Sequence, residues 1–390
     1  MGKWVTVFAA APREGKIGAC DLRDRTVRLV TKVNLSGDML RLRIGNLFGE
    51  EPLKIGQITV WNGKNCADIT FGGQPSLRLA PGGTVYSDEV YLPVTAGDTL
   101  KVLFYFPENA PVCRSVSGTW PTEHSAPGNF TGQPDFAAAE DDLRGNMPFP
   151  APDPLPGLMN IDILAEENTC AVAAFGDSIT EMRLWFDPMA EGFADKRKGK
   201  MALLNLGISG NRLLYSTGGK FTGMAGELFG VSGLKRMDWD LLGASGIKTV
   251  LLALGVNDVS QPGSGEFCPP LEERCTLDEF AAGVSKVVRR LHEAGIKVIA
   301  CTITPFGGMP GCCDETMALR DEINGWLVRS AAAGDIDGVI DFGSAVEDPE
   351  KPGYMVPAYD SGDHLHPSPL GGEQMAAAGL KQLENLLSET

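Results

Sequence analysis

The sequence predicts two domains of different class, an antiparallel β-sandwich followed by an α/β domain with a parallel sheet. Three observations indicate this. The chain has 390 residues, which is longer than a domain with a single hydrophobic core usually is. Short strand-like runs separated by turn residues fill the first hundred residues, and strand and helix patterns alternate from residue 169 onward. We therefore assign residues 1–165 to the sandwich domain and residues 166–390 to the α/β domain.

The strands of the first domain are predicted from alternation with a period of two residues. In residues 39–44, MLRLRI, apolar side chains are interleaved with arginines, and Gly-Asp, Gly-Gly and Pro-Gly-Gly sequences separate such runs. The predicted strands are residues 27–33, 39–44, 55–61, 67–71, 85–92, 99–106 and 158–164. No segment of useful length has helical periodicity here, which favours an all-β sandwich of jelly-roll type.

A long irregular loop, residues 109–157, interrupts this domain. It is rich in proline, glycine and serine, and carries isolated aromatic residues. Loops of this length are either disordered or functional coverings, and disordered segments are poor in aromatic residues. We therefore expect an ordered loop that packs on the protein.

The second domain shows the rhythm of strand, turn and helix. Strands are predicted at residues 170–175, 201–206, 249–254, 298–302 and 339–342, and helices at 184–196, 233–242, 277–293, 315–332 and 368–387. Such alternation predicts a parallel sheet with helices on both faces. The loops that follow the strands then share one edge, where open α/β sheets carry their sites.

Composition narrows the possible partners. Hydrophobic residues make up 43% and charged residues 22% of the chain, as in ordinary globular proteins. A net charge of −16 disfavours nucleic acid and anionic membranes because these polyanions would be repelled. Nine cysteines without a CxxC pair, together with only four histidines, argue against a disulfide framework and a zinc site, so we expect reduced thiols and no metal.

The N-terminal residues MGKWVTVFAAAPREGK do not have the pattern of a secretion signal. Their apolar stretch is broken by Pro12 and followed by charged residues, and no run in the chain approaches the length of a membrane span. We therefore expect a cytoplasmic protein, with secretion left open for a chain whose leader has been removed.

Ser178 is the first candidate for chemistry. It follows the apolar run AVAAF within Gly-Asp-Ser, at a predicted strand end, although the same residues could simply form a helix cap. A serine nucleophile needs a base, and histidine is the usual one. His366 lies three residues after Asp363, a spacing that lets the carboxylate orient the imidazole. The alternative is that this loop only caps the last helix.

Gly210, in GISGN, and Asn257, in GVND, also follow predicted strands. A glycine allows close approach to the backbone, and an asparagine offers a neutral N–H donor for a developing oxyanion. Each could be an ordinary turn residue on its own. Together with Ser178 and His366 they provide what ester hydrolysis requires.

The four segments GDSIT, GISGN, GVND and DHLH, in this order, resemble the conserved blocks of the SGNH hydrolases, also called GDSL esterases and lipases. The resemblance implies a flavodoxin-like α/β/α sandwich and an enzyme without metal or cofactor. It implies Ser178 as nucleophile and, through its N–H, as first oxyanion donor, with Gly210 and Asn257 as the second and third. Asp363 and His366 complete the implied triad.

The segment SGDMLRLRIGNLFGEEPLKIG is similar to the β-sandwich that precedes the catalytic domain in a bacterial subgroup of these esterases. This resemblance implies an acetylesterase that acts on acetylated oligosaccharides. A lipase or lysophospholipase, and a carbohydrate-binding protein with an inactive hydrolase domain, are the alternatives. The oligomeric state is left open.

Four residues are further candidates for substrate contact, because an irregular aromatic loop could cover the site and aromatic faces suit sugar rings. They are Trp120, His124, Phe130 and Arg212. The alternative is that they only attach the loop to the domain.

Overall fold

A computed structural model describes residues 2–13, 21–110, 122–140, 156–216, 229–265 and 268–388. The chain divides into two compact units. The first comprises Met1–Ala171, Arg197–Leu204 and Ala244–Gly246, and the second comprises Val172–Lys196, Asn205–Gly243 and Ile247–Thr390.

The first unit is built from antiparallel strands. They are β1 (Gly2–Ala9), β2 (Arg25–Lys32), β3 (Gly37–Gly45), β4 (Leu53–Ile55), β5 (Gln57–Trp61), β6 (Cys66–Ile69), β7 (Leu77–Leu79), β8 (Thr84–Tyr86), β9 (Val90–Val94), β10 (Thr99–Phe106), β11 (Thr122–His124) and β12 (Leu158–Glu166). One sheet has the order β1-β12-β3-β8, with β9 also paired to β3. A second sheet has the order β11-β2-β10-β5-β6, and β4 pairs with β7.

Strand β3 shows why these residues form a sheet with a buried face. Leu40, Leu42 and Ile44 alternate along it and are fully buried, as its period-two pattern predicts. Arg41, on the opposite face, bonds to the Asp162 carboxylate at 3.2 Å. The antiparallel β class predicted for this region is confirmed.

Several details of the strand prediction were wrong. Strands β1, β4, β7 and β11 were not predicted, and β11 lies within the segment predicted to be an irregular loop. Residues 85–92 form two short strands because the chain leaves β3 at Asp88, whose carboxylate accepts hydrogen bonds from the N–H groups of Gly72 and Gly73 and from the Thr70 hydroxyl. These bonds turn the backbone away from the ladder.

The second unit contains most of the parallel sheet. The strands of this sheet are β13 (Cys170–Gly176), β14 (Met201–Gly207), β15 (Ile247–Ala253), β16 (Lys297–Cys301) and β17 (Gly338–Ile340). Residues 170–171 of β13 and 201–204 of β14 are assigned to the first unit. They have the order β14-β13-β15-β16-β17, and the β15–β16 and β16–β17 ladders are parallel. This is the 2-1-3-4-5 order of flavodoxin-like folds, in which the winding reverses between the first and third strands. The switch point therefore lies between β13 and β15.

Eight helices are described in the second unit. They are α1 (Ser178–Glu181), α2 (Phe186–Arg197), α3 (Gly233–Asp240), α4 (Val256–Ser260), α5 (Leu277–His292), α6 (Asp314–Ala333), α7 (Phe342–Val346) and α8 (Pro369–Ser388). Helix α5 begins with a capping box between Thr276 and Glu279 and buries one apolar stripe. Among the described residues, no helix is both long and apolar enough to cross a membrane.

The three short helices α1, α4 and α7 were not predicted. Each has four or five residues, which is too short to show a hydrophobic period. They follow β13, β15 and β17, respectively. Helices α1 and α4 therefore begin beside the switch point, which lies between β13 and β15.

Candidate active site

Ser178 lies at the turn between β13 and α1. At Gly176 a Cβ atom would come within 2.1 Å of Thr180 Oγ1 and 3.0 Å of Ala253 O, so only glycine fits this close approach. The Asp177 carboxylate caps α1 by accepting the Ile179 N–H at 3.0 Å. The sequence at this turn thus holds Ser178, which is 7% exposed, at the first position of the helix.

Ser178, His366 and Asp363 form a continuous hydrogen-bonded chain. Ser178 Oγ lies 2.8 Å from His366 Nε2, and His366 Nδ1 lies 2.6 Å from Asp363 Oδ2. With the proton on Nδ1 facing the carboxylate, the Nε2 lone pair faces the serine hydroxyl. This is the arrangement in which an imidazole can take the proton of a serine as the hydroxyl attacks.

The loop around Asp363 is arranged to keep that carboxylate ionised. Partial burial acts to raise the pKa of Asp363, but hydrogen bonds from the His366 imidazole and from the His366 and Leu365 N–H groups lower it to about 2. The two N–H groups lie 2.8 and 2.9 Å from Asp363 Oδ1. Asp363 is therefore a fixed negative charge behind the imidazole at neutral pH.

Gly210 follows β14 in a conformation that favours glycine. Its φ is 71°, and a Cβ atom there would lie 2.0 Å from Phe229 Cδ1. The loop is also tied to α1, because the buried Glu181 carboxylate accepts the Ser209 N–H. Both features hold the backbone of the GISGN segment in one shape.

Asn257 follows β15 in α4, after Gly255, and is 3% exposed. Its Nδ2 donates to Asn211 O at 3.0 Å, and its Oδ1 accepts from Gln261 Nε2 at 2.9 Å. Gln261 Nε2 also donates to Gly210 O at 3.1 Å. The GISGN and GVND segments are thereby joined by side-chain hydrogen bonds.

A buried arginine on α3 holds the ends of two strands. Arg236 donates to Gly176 O at 2.8 Å and to Leu206 O at 2.9 Å. Gly176 is the last residue of β13, and Leu206 is the last but one of β14. Arg236 also donates to Asn211 Oδ1 at 2.9 Å and to the buried Asp240 carboxylate at 2.7 Å. One side chain thus connects the segment before Ser178 to the segment that contains Gly210.

Two buried carboxyl groups lie behind these segments. Burial, together with the nearby Asp258 carboxylate, raises the pKa of Asp177 to about 7 against the opposing effect of the Ile179 hydrogen bond. Burial also raises the pKa of Asp258 to about 6, although its carboxylate accepts the Leu213 and Leu214 N–H groups. Neither carboxyl group belongs to the serine–histidine chain.

The four candidate substrate contacts lie in different places. Trp120 is outside the described residues. His124 is a buried residue of β11, and Phe130 lies 5.9 Å from the Phe136 ring, both in the first unit. Arg212 is buried in the second unit, with Nη2 2.7 Å from Glu273. Their contact with substrate stays a prediction.

The other histidines are paired elsewhere. His292, on α5, lies 2.6 Å from Asp337, and His364 lies 2.6 Å from Asp360.

Sequence reasoning missed three residues of this network: Glu181, Arg236 and Gln261. Glu181 directly follows the GDSIT segment and could have been noticed for that reason. Arg236 and Gln261 lie outside the four segments, and nothing in their sequence neighbourhood distinguishes them from ordinary helix residues.

Fold and site together define an open α/β protein with a Ser–His–Asp chain beside the switch point of its sheet. The sequence profile of the GDSL-like lipase/acylhydrolase family matches residues 174–373, and the chain belongs to this family. The match spans all four segments.

Solved structures that are similar to part of this chain include the following three. A mutant of the acetyl-xylooligosaccharide esterase Axe2 from Geobacillus is 20% identical, with 55% of this chain and 93% of that chain covered at a TM-score of 0.42. A putative acylhydrolase from Bacteroides fragilis is 20% identical, with 58% and 89% covered at a TM-score of 0.40. A putative G-D-S-L lipolytic protein from Desulfitobacterium hafniense is 18% identical, with 55% and 99% covered at 0.38. No curated protein matches the chain.

Proposed function

We propose that the protein is a serine esterase that hydrolyses short-chain acyl esters through an acyl-enzyme intermediate. The observation that carries this proposal is the hydrogen-bonded chain from Asp363 through His366 to Ser178, with distances of 2.6 and 2.8 Å. Family membership supports the reaction class, since the family comprises lipases and acylhydrolases.

In the first step, His366 Nε2 takes the proton of Ser178 as Oγ attacks the acyl carbonyl. The Asp363 carboxylate stabilises the imidazolium that forms and holds its Nδ1–H. As negative charge develops on the carbonyl oxygen, the N–H groups of Ser178 and Gly210 and Asn257 Nδ2 donate hydrogen bonds to it. His366 then gives its proton to the departing alcohol.

In the second step, water replaces the alcohol. His366 takes a proton from this water as the water oxygen attacks the acyl carbon. His366 then gives that proton to Ser178 Oγ as the bond between Oγ and the acyl carbon breaks, which releases the acid and restores the free serine. Every proton transfer uses His366, so no metal or organic cofactor takes part in the proposed reaction.

For the acyl group we propose acetyl, and for the alcohol an acetylated oligosaccharide. The resemblance of the segment SGDMLRLRIGNLFGEEPLKIG to the sandwich domain of carbohydrate acetylesterases supports this choice. The net charge of −16 also disfavours the surface of an anionic lipid bilayer, where a lipase would act.

The test is the rate of acid release from 4-nitrophenyl esters of two, four and eight carbons and from acetylated xylo- and manno-oligosaccharides. We expect turnover to fall with chain length, and we expect Ser178→Ala and His366→Ala to abolish it with the fold intact. Ser285→Ala and His292→Ala, which alter a serine and a histidine on α5, are matched controls and should keep wild-type rates.

Three outcomes would contradict parts of the proposal. Retained turnover in either site variant would exclude the serine mechanism. A preference for the eight-carbon ester would favour the lipase alternative. No acid release from any ester by the wild-type chain would favour a carbohydrate-binding protein with an inactive hydrolase domain.

A further inference from the structure

We infer that Gln261 is a positioning residue that aligns two of the three oxyanion donors, an inference that rests on the proposed function. Gln261 directly follows α4, four residues after Asn257, so the two side chains lie on the same face of this turn. It lies outside the GVND segment.

The Gln261 side chain contacts both donor segments at once. Its Nε2 lies 2.9 Å from Asn257 Oδ1 and 3.1 Å from Gly210 O. An amide nitrogen has two hydrogens, and both are used here. The reverse orientation of the amide would place Oε1 against two other acceptor oxygens, so the chemistry of the neighbours dictates which end faces them.

The bond to Asn257 determines which way its amide points. Because Oδ1 is held by Gln261, Nδ2 faces the opposite side, where one of its hydrogens is donated to Asn211 O at 3.0 Å. The second hydrogen is left for the oxyanion. Donation to Oδ1 also polarises the amide, which makes each Nδ2–H a stronger donor.

The bond to Gly210 restrains a residue that has no side chain of its own. Glycine tolerates a wide range of φ and ψ, and at Gly210 the φ of 71° lies in the left-handed region. A hydrogen bond to the Gly210 carbonyl limits rotation on one side of the residue. The N–H on its other side then keeps its direction.

A purely stabilising role would not account for the environment of this side chain. Gln261 is only 9% exposed, and its Oε1 is buried without a hydrogen-bond partner among the described residues. Burying an unpaired amide oxygen is unfavourable for folding. An apolar residue of similar size would avoid this cost, but it could not orient Asn257.

The test compares Gln261→Met, which keeps the volume but has no donor, with Gln261→Glu, which turns both donors into acceptors. Loss of a whole oxyanion donor lowers kcat by roughly 10²–10³-fold. Misalignment should cost part of this, so we expect kcat for 4-nitrophenyl acetate to fall about tenfold in Gln261→Met and further in Gln261→Glu. KM should change by less than about twofold, because the donors act mainly in the transition state.

A double-mutant cycle separates positioning from a general structural effect. In the Asn257→Ala background, Gln261→Met should lower kcat by less than about threefold, since its main partner is gone. Ser260→Ala, which removes a buried hydroxyl on the same short helix, is the matched control and should keep the wild-type kcat. Thermal unfolding shows which variants are folded. If only one of Gln261→Met and Gln261→Glu folds, the kcat of that variant alone is compared with the wild-type kcat.

The inference is overturned if Gln261→Met keeps the wild-type kcat while Asn257→Ala is slow, or if its effect is undiminished in the Asn257→Ala background. A wild-type chain that hydrolyses no ester would instead contradict the proposed function.

Discussion

Replacing Arg236 with methionine should destabilise the α/β unit more than most single substitutions. The guanidinium group is fully buried and donates to four acceptors: Gly176 O, Leu206 O, Asn211 Oδ1 and Asp240 Oδ2. Methionine has a similar length and keeps apolar contact with the Phe175 ring, over which the guanidinium carbon lies at 3.9 Å. The substitution therefore removes the charge and the donors with little change in packing.

The size of the expected destabilisation is set by the Asp240 carboxylate, which stays buried when Arg236 is replaced. Removing one partner of a buried ion pair costs about 3–5 kcal/mol because the remaining buried charge loses its counter-charge. The side chain of Asp240 is fully buried, so this range applies. Since a domain has a net stability of roughly 5–15 kcal/mol, the loss is a large fraction of the total.

Urea unfolding followed by tryptophan fluorescence measures this loss. We expect Arg236→Met to lower the free energy of unfolding by about 4 kcal/mol. The double variant Arg236→Met/Asp240→Leu, which also removes the buried Asp240 carboxylate, should recover about half of the loss. A loss below about 1 kcal/mol in Arg236→Met, within the range of ordinary surface substitutions, would refute the reasoning, as would a double variant no more stable than the single one.

Three further predictions follow from the site. Asp363→Asn should lower kcat by up to about 10⁴-fold by removing the charge behind the His366 imidazole, and an unchanged rate for 4-nitrophenyl acetate would contradict this. Gly210→Ala should lower both kcat and melting temperature, because it adds left-handed strain of about 1–2 kcal/mol and a contact with Phe229; a normal kcat would show that the loop tolerates a side chain. Asp177, with a pKa raised from 3.8 to about 7, binds a proton in the folded state that the unfolded chain releases, so its contribution to stability is present below about pH 4 and is lost as pH rises to 7. Melting temperatures at pH 5, 6, 7 and 8 should show that Asp177→Asn removes this part of the decline, and parallel curves for both proteins would contradict the assignment.

The class of the fold could be predicted because it depends on patterns that repeat along the chain. Alternating apolar residues in β3 and the capped, amphipathic α5 are local signals that tertiary contacts do not override. Strand β1 was missed because its apolar run continues beyond Ala9 to Pro12, so that no turn residue marks the end of the strand. The split between β8 and β9 was missed because it depends on hydrogen bonds that the Asp88 carboxylate accepts from Thr70 and Gly72, which are distant in sequence.

The candidate site was only partly predictable for the same reason. Ser178, Gly210, Asn257 and His366 each follow a predicted strand or precede a predicted helix, so topology alone assigns them to one edge of the sheet. The supporting residues have no such signal. Arg236 matters because two strand ends and a loop meet at its side chain, which is a property of the fold and not of any short segment.

The measurement that tests the account most directly is covalent labelling of the nucleophile. The protein is incubated with a fluorophosphonate ester, which loses fluoride as an activated serine oxygen bonds to phosphorus, and the adduct is located by peptide mass spectrometry. We expect one adduct, on Ser178, and none in His366→Ala, because the hydroxyl is activated only through the imidazole. An adduct on another serine, or an unlabelled Ser178 in a preparation that hydrolyses 4-nitrophenyl acetate, would contradict the account.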